Sequence, residues 1–365
     1  MITQDSINRV KDESDIQKVV EYFITLKKQG SNLTASCPFH DEKSGSFHVN
    51  PSKGIYKCFG CGVGGDAIDF VIRKENMPFI EAIIKVAEIC NITIEEVEDS
   101  PEERAQKDKR VELLNINKQA AKKFHDYLQE QNIYHDAQQE LQRNRQLTLE
   151  TILQFQIGYA PDEWQFLSRD LIERGLFEPS KELGLVTTSN ERNFDTYRRR
   201  IIFPIHNEKG QIVGFGGRII GDNEQKAPKY INSKESPLYK KERVLYGLFH
   251  AITGIRKLKF AIVVEGYYDV ISMHQAGATN TVGTCGTAFT DQHAMILKKY
   301  TNHVVLMGDG DFAGMEANMK AVNILIKHNI KAEICLLPTP EKEGEKVDPD
   351  IFARQHPAPI QLLTE

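Results

Sequence analysis

The sequence predicts a multidomain protein of mixed α+β and α/β class. It has a small N-terminal unit stapled by cysteine and histidine, a mixed α/β middle, and a C-terminal parallel sheet flanked by helices. Three observations carry this reading. Two close pairs, Cys37-Pro-Phe-His40 and Cys58-Phe-Gly-Cys61, stand seventeen residues apart near the N-terminus. A charged run from Glu95 to Arg110 holds almost no apolar side chain after Val97. From Lys259 onward, strand-like apolar runs alternate with helical ones, the pattern of a doubly wound parallel sheet.

With 365 residues, 40% of them hydrophobic and 27% charged, the chain can hold two or three domains with ample core. The 25 Gly and 14 Pro are too few and too scattered for a collagen-like or low-complexity chain. No run of eighteen apolar residues exists and the N-terminus lacks an apolar signal region, so no membrane segment or secretory leader is expected. Six cysteines in a chain of this length are too sparse for a disulfide framework; the expected compartment is the reducing cytoplasm, where cysteine pairs bind metals. The expected boundaries are 1–95 for the stapled unit, 96–110 for a charged linker that continues into a helix, and 111–257 for the middle. The parallel sheet occupies 258–354, and 355–365 is a short tail.

The two x2-spaced pairs offer four ligands, Cys37, His40, Cys58 and Cys61, which a tetrahedral zinc ion requires. Between them SFHVN and GIYKC alternate like strands around the turn Pro51–Gly54, so a hairpin brings the knuckles together. Four protein ligands leave no open position, so the zinc is structural. His48 falls mid-strand and reads as a surface or stacking residue, and Cys90, Cys285 and Cys335 as core thiols. Lys43, Lys53, Lys57, Phe47, Tyr56 and Phe59 interleave cations with aromatics. That mixture suits single-stranded DNA, although some of the rings must pack the small core. A helix follows, with Ile80, Ile83, Ile84 and Ala87 at helical spacing and Pro78 in its first turn.

Net charge is −5 overall, yet residues 195–260 hold fourteen Lys and Arg against six Asp and Glu. A basic block inside an acidic chain points to a local site for a polyanion or to a solvated face. Within it, IIFPIHNEKGQIVGFGGRII reads as a hairpin around Glu208-Lys209-Gly210. Beyond Lys259 the predicted strands are KFAIVVEG, ATNTVGT, NHVVLMGDG and KAEICLLP. Acids recur at their ends: Glu265, with Asp269 one turn into the next helix; Asp309 and Asp311 around Gly310; and Asp348 and Asp350 around Pro349. Ligands of parallel sheets bind at the carboxyl ends of the strands. Carboxylates this close require cations, and hard oxygen donors select Mg²⁺ or Mn²⁺ bridged to phosphates.

In order along the chain, CPFHDEKSGSFHVNPSKGIYKCFGCGVGGDAIDFV, FQIGYAP, RRRIIFPI, IVGFGGRII, APKYINS, VLYGL, VVEGYYDV and GDGDFAG resemble the bacterial replicative DNA primases of the DnaG type, from the first residues to about position 354. The resemblance implies a zinc-ribbon domain that helps hold single-stranded template, followed by an RNA polymerase core whose Toprim sheet carries the chemistry. It places zinc on Cys37, His40, Cys58 and Cys61, an acid/base role on Glu265, and metal binding on Glu265, Asp269, Asp309, Asp311, Asp348 and Asp350. Arg145, Arg199, Arg218, Lys229 and Lys241 fall where the family holds template and nucleotide. The implied activity is synthesis of short RNA primers on single-stranded DNA from ribonucleoside triphosphates, by two-metal nucleotidyl transfer. Phe312 stands where many relatives carry a polar or charged residue, and Thr339–Asp350 looks long. The family's C-terminal helical subdomain and helicase-binding domain have no counterpart here, so helicase docking is not expected from these residues.

Two other readings compete. A Toprim topoisomerase or nuclease needs a nucleophilic tyrosine, and Tyr267 and Tyr268 sit inside the acidic motif where the family uses them structurally. A zinc-dependent DNA-binding protein with a vestigial sheet would not need the intact set of acids. Ribonucleotide incorporation separates the first reading from the third, and DNA nicking or relaxation identifies the second.

Overall fold

The computed structural model describes residues 2–42, 45–75, 77–95, 100–130, 136–221, 227–308, 312–337 and 347–356. The chain divides into two compact units, 1–105 and 106–365. The division falls in the first turns of the helix Pro101–Gln129, so residues 101–110 of the charged stretch are helical.

In the first unit an antiparallel sheet runs in chain order through β1 (Lys27–Gln29), β2 (Asn32–Ala35), β3 (Phe47–Asn50), β4 (Ile55–Cys58) and β5 (Gly64–Gly65). Residues alternate in burial along β3 and β4, which puts Phe47, Val49, Tyr56 and Cys58 on the core face. The turn between these strands is one 3₁₀ turn, Pro51–Lys53, whose Lys53 N–H donates to the Asn50 side chain. The resulting register pairs Phe47 with Cys58, the hairpin expected from the sequence. Phe47 and Tyr56 stack at 5.2 Å, and Phe70, from the helix Ala67–Glu75, closes edge-on over Tyr56 at 5.5 Å. All three rings are buried, so they form the core and do not face solvent. The helix Phe79–Cys90 starts one residue after Pro78 and ends on Asn91 in the left-handed conformation.

The second unit opens on the helix Pro101–Gln129, which buries Leu113, Ile116, Ala120, Ala121, Phe124 and Leu128 at three- and four-residue spacing. A mixed region follows with β6 (Gly158–Ala160), the hairpin β7 (Val186–Ser189) and β8 (Arg192–Asp195), then β9 (Arg200–His206), β10 (Ile212–Ile219) and β11 (Tyr230–Asn232). Its sheet order is β11-β10-β9-β6, with β9 and β10 the expected hairpin. Gly216 in β10 is required by close approach: a Cβ there would lie 2.3 Å from the Tyr267 ring. Tyr267 instead lies flat on Phe203 at 4.8 Å, which ties the antiparallel sheet to the acidic motif.

The last sheet contains β12 (Ala261–Val264), β13 (Thr281–Gly283), β14 (His303–Leu306) and β15 (Lys331–Ile334), parallel throughout in the order β13-β12-β14-β15. β12 is central and its strand is wholly buried, as covered parallel strands are. The helix Tyr267–Gln275 buries every residue from Tyr267 to His274, so the acidic motif is set on a rigid internal element. No helix among the described residues is long and apolar enough to cross a membrane.

Candidate metal centre and acidic cleft

The hairpin and the loop before it bring Cys37, His40, Cys58 and Cys61 together, with their ligand atoms within 4.8 Å of one another. The Sγ atoms of Cys37 and Cys61 are 3.9 Å apart, and Cys58 Sγ is 3.9 Å from His40 Nδ1. Tetrahedral zinc holds such atoms roughly 3.5–3.8 Å apart, so this donor set fits the ion and leaves no position open. Burial disfavours a thiolate at Cys58. The hydrogen bonds around its sulfur, among them those from the Cys61 and Gly60 N–H groups, outweigh it and lower that thiol to about 6. Phe59 is 73% exposed with His48 edge-on to it, so these two remain available for stacking. Lys57 donates to the Gly62 carbonyl and Lys43 lies outside the described residues.

Because the ligands come from one hairpin and one loop, removing any of them should dismantle this unit alone. Cys61→Ala is expected to lose zinc and to unfold the first unit while the second keeps its own cooperative transition. Elemental analysis and thermal unfolding check this. Zinc retained by the variant at one equivalent would contradict it.

In the second unit, Glu265, Asp269, Asp348 and Asp350 meet Arg145, Arg218 and Lys229 around one cleft of about 290 Å³. Glu265 follows β12. Asp269 accepts from the Gly266 N–H at 2.8 Å, closing the first turn of its helix. Asp348 accepts from Ile351 N at 2.8 Å and so caps the helix Pro349–Gln355. Asp350 is 1% exposed, with Arg145 Nη1 and Ser272 Oγ each 2.6 Å from its two oxygens. Arg145 also donates to Glu140 at 3.1 Å and lies over the Tyr268 ring at 4.4 Å. Burial works against the charge on Arg145, but Asp350, Tyr268 and Glu140 together outweigh it and raise the guanidinium above its ordinary value. Arg218 adds a hydrogen bond to the Tyr230 hydroxyl at 3.1 Å.

Asp309 and Asp311 lie outside the described residues, as does the Phe312 side chain. Gly308, which precedes them, lines a second cavity together with Glu265 at the carboxyl ends of β12 and β14. Arg199 and Lys241 do not line the cleft. Arg199 lies 3.6 Å from Asp136, and the Lys241 N–H donates to Glu235 on a separate rim that includes Lys240 and Thr287. The basic block is partly spent internally, since buried Arg200 donates to the carbonyls of Gly217 and Pro228. Tyr267 and Tyr268 are buried, and desolvation raises both phenols well above the ordinary tyrosine value, so neither is presented as a nucleophile.

Sequence reasoning missed Glu140, Tyr230, Asn232 and Ser272. Asn232 accepts from the Tyr267 hydroxyl at 2.7 Å and Ser272 holds Asp350. No local spacing marks Asn232 and Ser272, whose partners lie 35 and 78 residues away, whereas Glu140 meets Arg145 only five residues on.

A ribbon whose Cys/His tetrad fits zinc and a parallel sheet with acids at its carboxyl edge together define a zinc-ribbon protein with a Toprim-type sheet. The comparisons agree: residues 2–102 match the CHC2 zinc finger, 123–252 the N-terminal domain of the DNA primase catalytic core, and 262–352 a Toprim-like domain. The chain is 38% identical over 360 residues to the DNA primase of Halalkalibacterium halodurans and 37% to that of Clostridium acetobutylicum. It covers 98% of itself in both cases, and 58% and 57% of those proteins. It thus spans somewhat over half the length of the curated relatives it matches. Among solved structures it is similar to the zinc-binding and RNA polymerase domains of the Aquifex aeolicus primase, at 32% identity and TM-score 0.62, covering 98% of this chain and 84% of that one. A DnaG primase catalytic domain bound to single-stranded DNA matches at 30% identity and TM-score 0.61, covering 70% and 80%. The chain belongs to the DnaG-type DNA primase family.

Proposed function

We propose that the chain synthesises short RNA primers on single-stranded DNA. The observation that carries this is the convergence of Glu265, Asp269, Asp348 and Asp350 with Arg145, Arg218 and Lys229 on one cleft, in a chain of this family. Residues 1–95 hold template through the ribbon, 111–257 supply positive charge, and 258–354 carry the chemistry. Glu265, Asp269, Asp309, Asp311, Asp348 and Asp350 are the residues that would hold Mg²⁺ or Mn²⁺. Bound there, the ion would lower the cost of an attacking 3′-oxygen and of the departing pyrophosphate.

The chain's own contribution is placement. In this reading Glu265 takes the proton of the attacking hydroxyl. Arg218 and Lys229, which line the same cleft, meet the triphosphate, and Arg199 and Lys241, outside it, hold the template backbone. Fixed charges that face the reacting phosphate cost no reorganisation when the reaction occurs. Arg145 bridges Glu140 and Asp350, and Arg354 also reaches Asp350, so this network sets the shape of the cleft floor beside the acids.

The test is incubation with single-stranded DNA, labelled ribonucleoside triphosphates and Mg²⁺ or Mn²⁺. Template-dependent oligomers support the reading, and their absence with intact DNA binding defeats it. Binding to single-stranded DNA should weaken steeply with salt. Lys241→Ala should reduce the slope of log K against log salt by about one or less, as expected for one phosphate contact. A salt-independent affinity would mean that the basic block is not the polyanion site.

A further inference from the structure

One carboxylate behind the zinc ligands has no role in the reading so far. Glu42 is largely buried, its side chain 8% exposed, and it gathers the parts of the ligand set. Its Oε1 accepts from the N–H of Cys37 at 2.7 Å and of Ser46 at 3.0 Å. Its Oε2 accepts from the Ser46 hydroxyl, whose oxygen lies 3.2 Å from Cys58 Sγ. The same Oε2 stands 3.5 Å from His40 Nε2, while His40 Nδ1 faces Cys58. The ring edge is hemmed in as well: a Cβ on Gly60 would lie 2.7 Å from His40 Nε2 and 2.8 Å from Ser46 Oγ.

We propose that Glu42 is the positioning residue of the zinc centre, holding His40 so that Nδ1 is offered to the metal and Nε2 keeps the proton. The inference rests on the zinc reading of the four ligands. A neutral imidazole that binds through one nitrogen carries its hydrogen on the other, and a carboxylate facing that hydrogen fixes both tautomer and ring plane. It also makes the imidazole a stronger donor. Through Ser46, the same carboxylate places a hydroxyl against the Cys58 sulfur. A single side chain thereby orients His40, the Cys37 backbone and the group that touches Cys58.

The competing explanation is that Glu42 only closes the loop through the N–H groups of Cys37 and Ser46. Glu42→Gln separates the two, because the amide keeps an oxygen for those N–H groups and loses the carboxylate that faces His40. In the full chain, we expect E42Q to bind zinc roughly 10- to 100-fold more weakly in chelator competition, the range seen when such outer partners are lost. The visible bands of the cobalt-substituted protein should move with it. In a His40→Cys background, which has no second ring nitrogen, the same substitution should weaken zinc binding by a clearly smaller factor than with His40 in place, since only the Ser46 hydroxyl contact then remains to be lost. Wild-type affinity and unchanged cobalt bands in E42Q would overturn the proposal, and so would an equal loss in both backgrounds. If His40→Cys binds no metal, the E42Q affinity and cobalt spectrum alone decide. Wild-type protein without zinc would overturn the metal reading itself, a result separate from any of these.

Discussion

Asp309→Asn and Asp311→Asn should each lower ribonucleotide incorporation by roughly 10²-fold or more, the range found when electrostatic stabilisation is removed from an active site. Each replacement preserves size and shape and removes one charge. The strand before them, β14, pairs with β12, the strand that delivers Glu265, and Met307 donates to Val263 at 2.9 Å. The chain leaves this pair of buried strands at Leu306, three residues before Asp309. Glu265→Gln should behave alike if Glu265 takes the proton of the attacking hydroxyl. Zinc content should not move, because its ligands lie in the other unit. Affinity for single-stranded DNA should change little, since the template is assigned to the cations. Primer synthesis at wild-type rates by both Asn variants would remove the catalytic assignment and favour a zinc-dependent binding protein.

The parts legible in the sequence are those that local spacing determines. The x2 pairs, the alternation of SFHVN and GIYKC, and the strand–helix alternation after Lys259 each express a geometry only a few residues long. Glycine-rich IVGFGGRII was recognisable as a strand, but the reason for Gly216 is a ring from Tyr267, fifty-one positions later. The internal wiring of the cleft was not legible for the same reason. Arg145 meets Asp350 across 205 residues and Ser272 meets it across 78. A residue that reads as a free cation for nucleotide, such as Arg145, is thus partly committed to holding the cleft together. Asp350 keeps a second cation, Arg354, whose Nε lies 3.2 Å from its Oδ1, so loss of Arg145 should cost less than the ~3–5 kcal/mol of a fully orphaned buried charge. Loss of activity in an Arg145 variant consequently needs a stability measurement beside it. Glu42 was equally silent: its spacing from His40 is ordinary, and only the fold turns it back onto the ring.

Acid should destabilise the second unit well before its carboxylates are all protonated, because His250 and His274 pack against Phe155 and His206 against His250, where burial favours the neutral ring. His250 lies 4.7 Å from the Phe155 ring and 5.4 Å from His206, and His274 meets Phe155 edge-on at 5.2 Å. Desolvation lowers all three from 6.5 to about 4, with the neighbouring His250 adding to the shift at His206 and His274. His274 pairs Nε2 with the Thr281 carbonyl at 2.8 Å, so a second proton would have to sit on Nδ1, for which the described residues supply no partner. A group whose folded value is depressed binds fewer protons folded than unfolded. Its stabilisation is complete above pH 6.5 and is lost as pH falls from there toward 4. At pH 5 that is about 2 kcal/mol for a fully buried histidine, less for half-buried His250, and on the order of 3–5 kcal/mol together. Asp195, raised by burial, binds its proton more readily folded than unfolded and so opposes this trend. Urea unfolding followed through Trp164, the single tryptophan and a member of the same unit, should show a midpoint that drops steadily between pH 7 and 5. His250→Phe should flatten part of that slope by removing both a proton site and a neighbour of the other two. A midpoint that stays level down to pH 4.5 would mean that these histidines are hydrated, and that the packing around Phe155 is looser than the ring distances indicate.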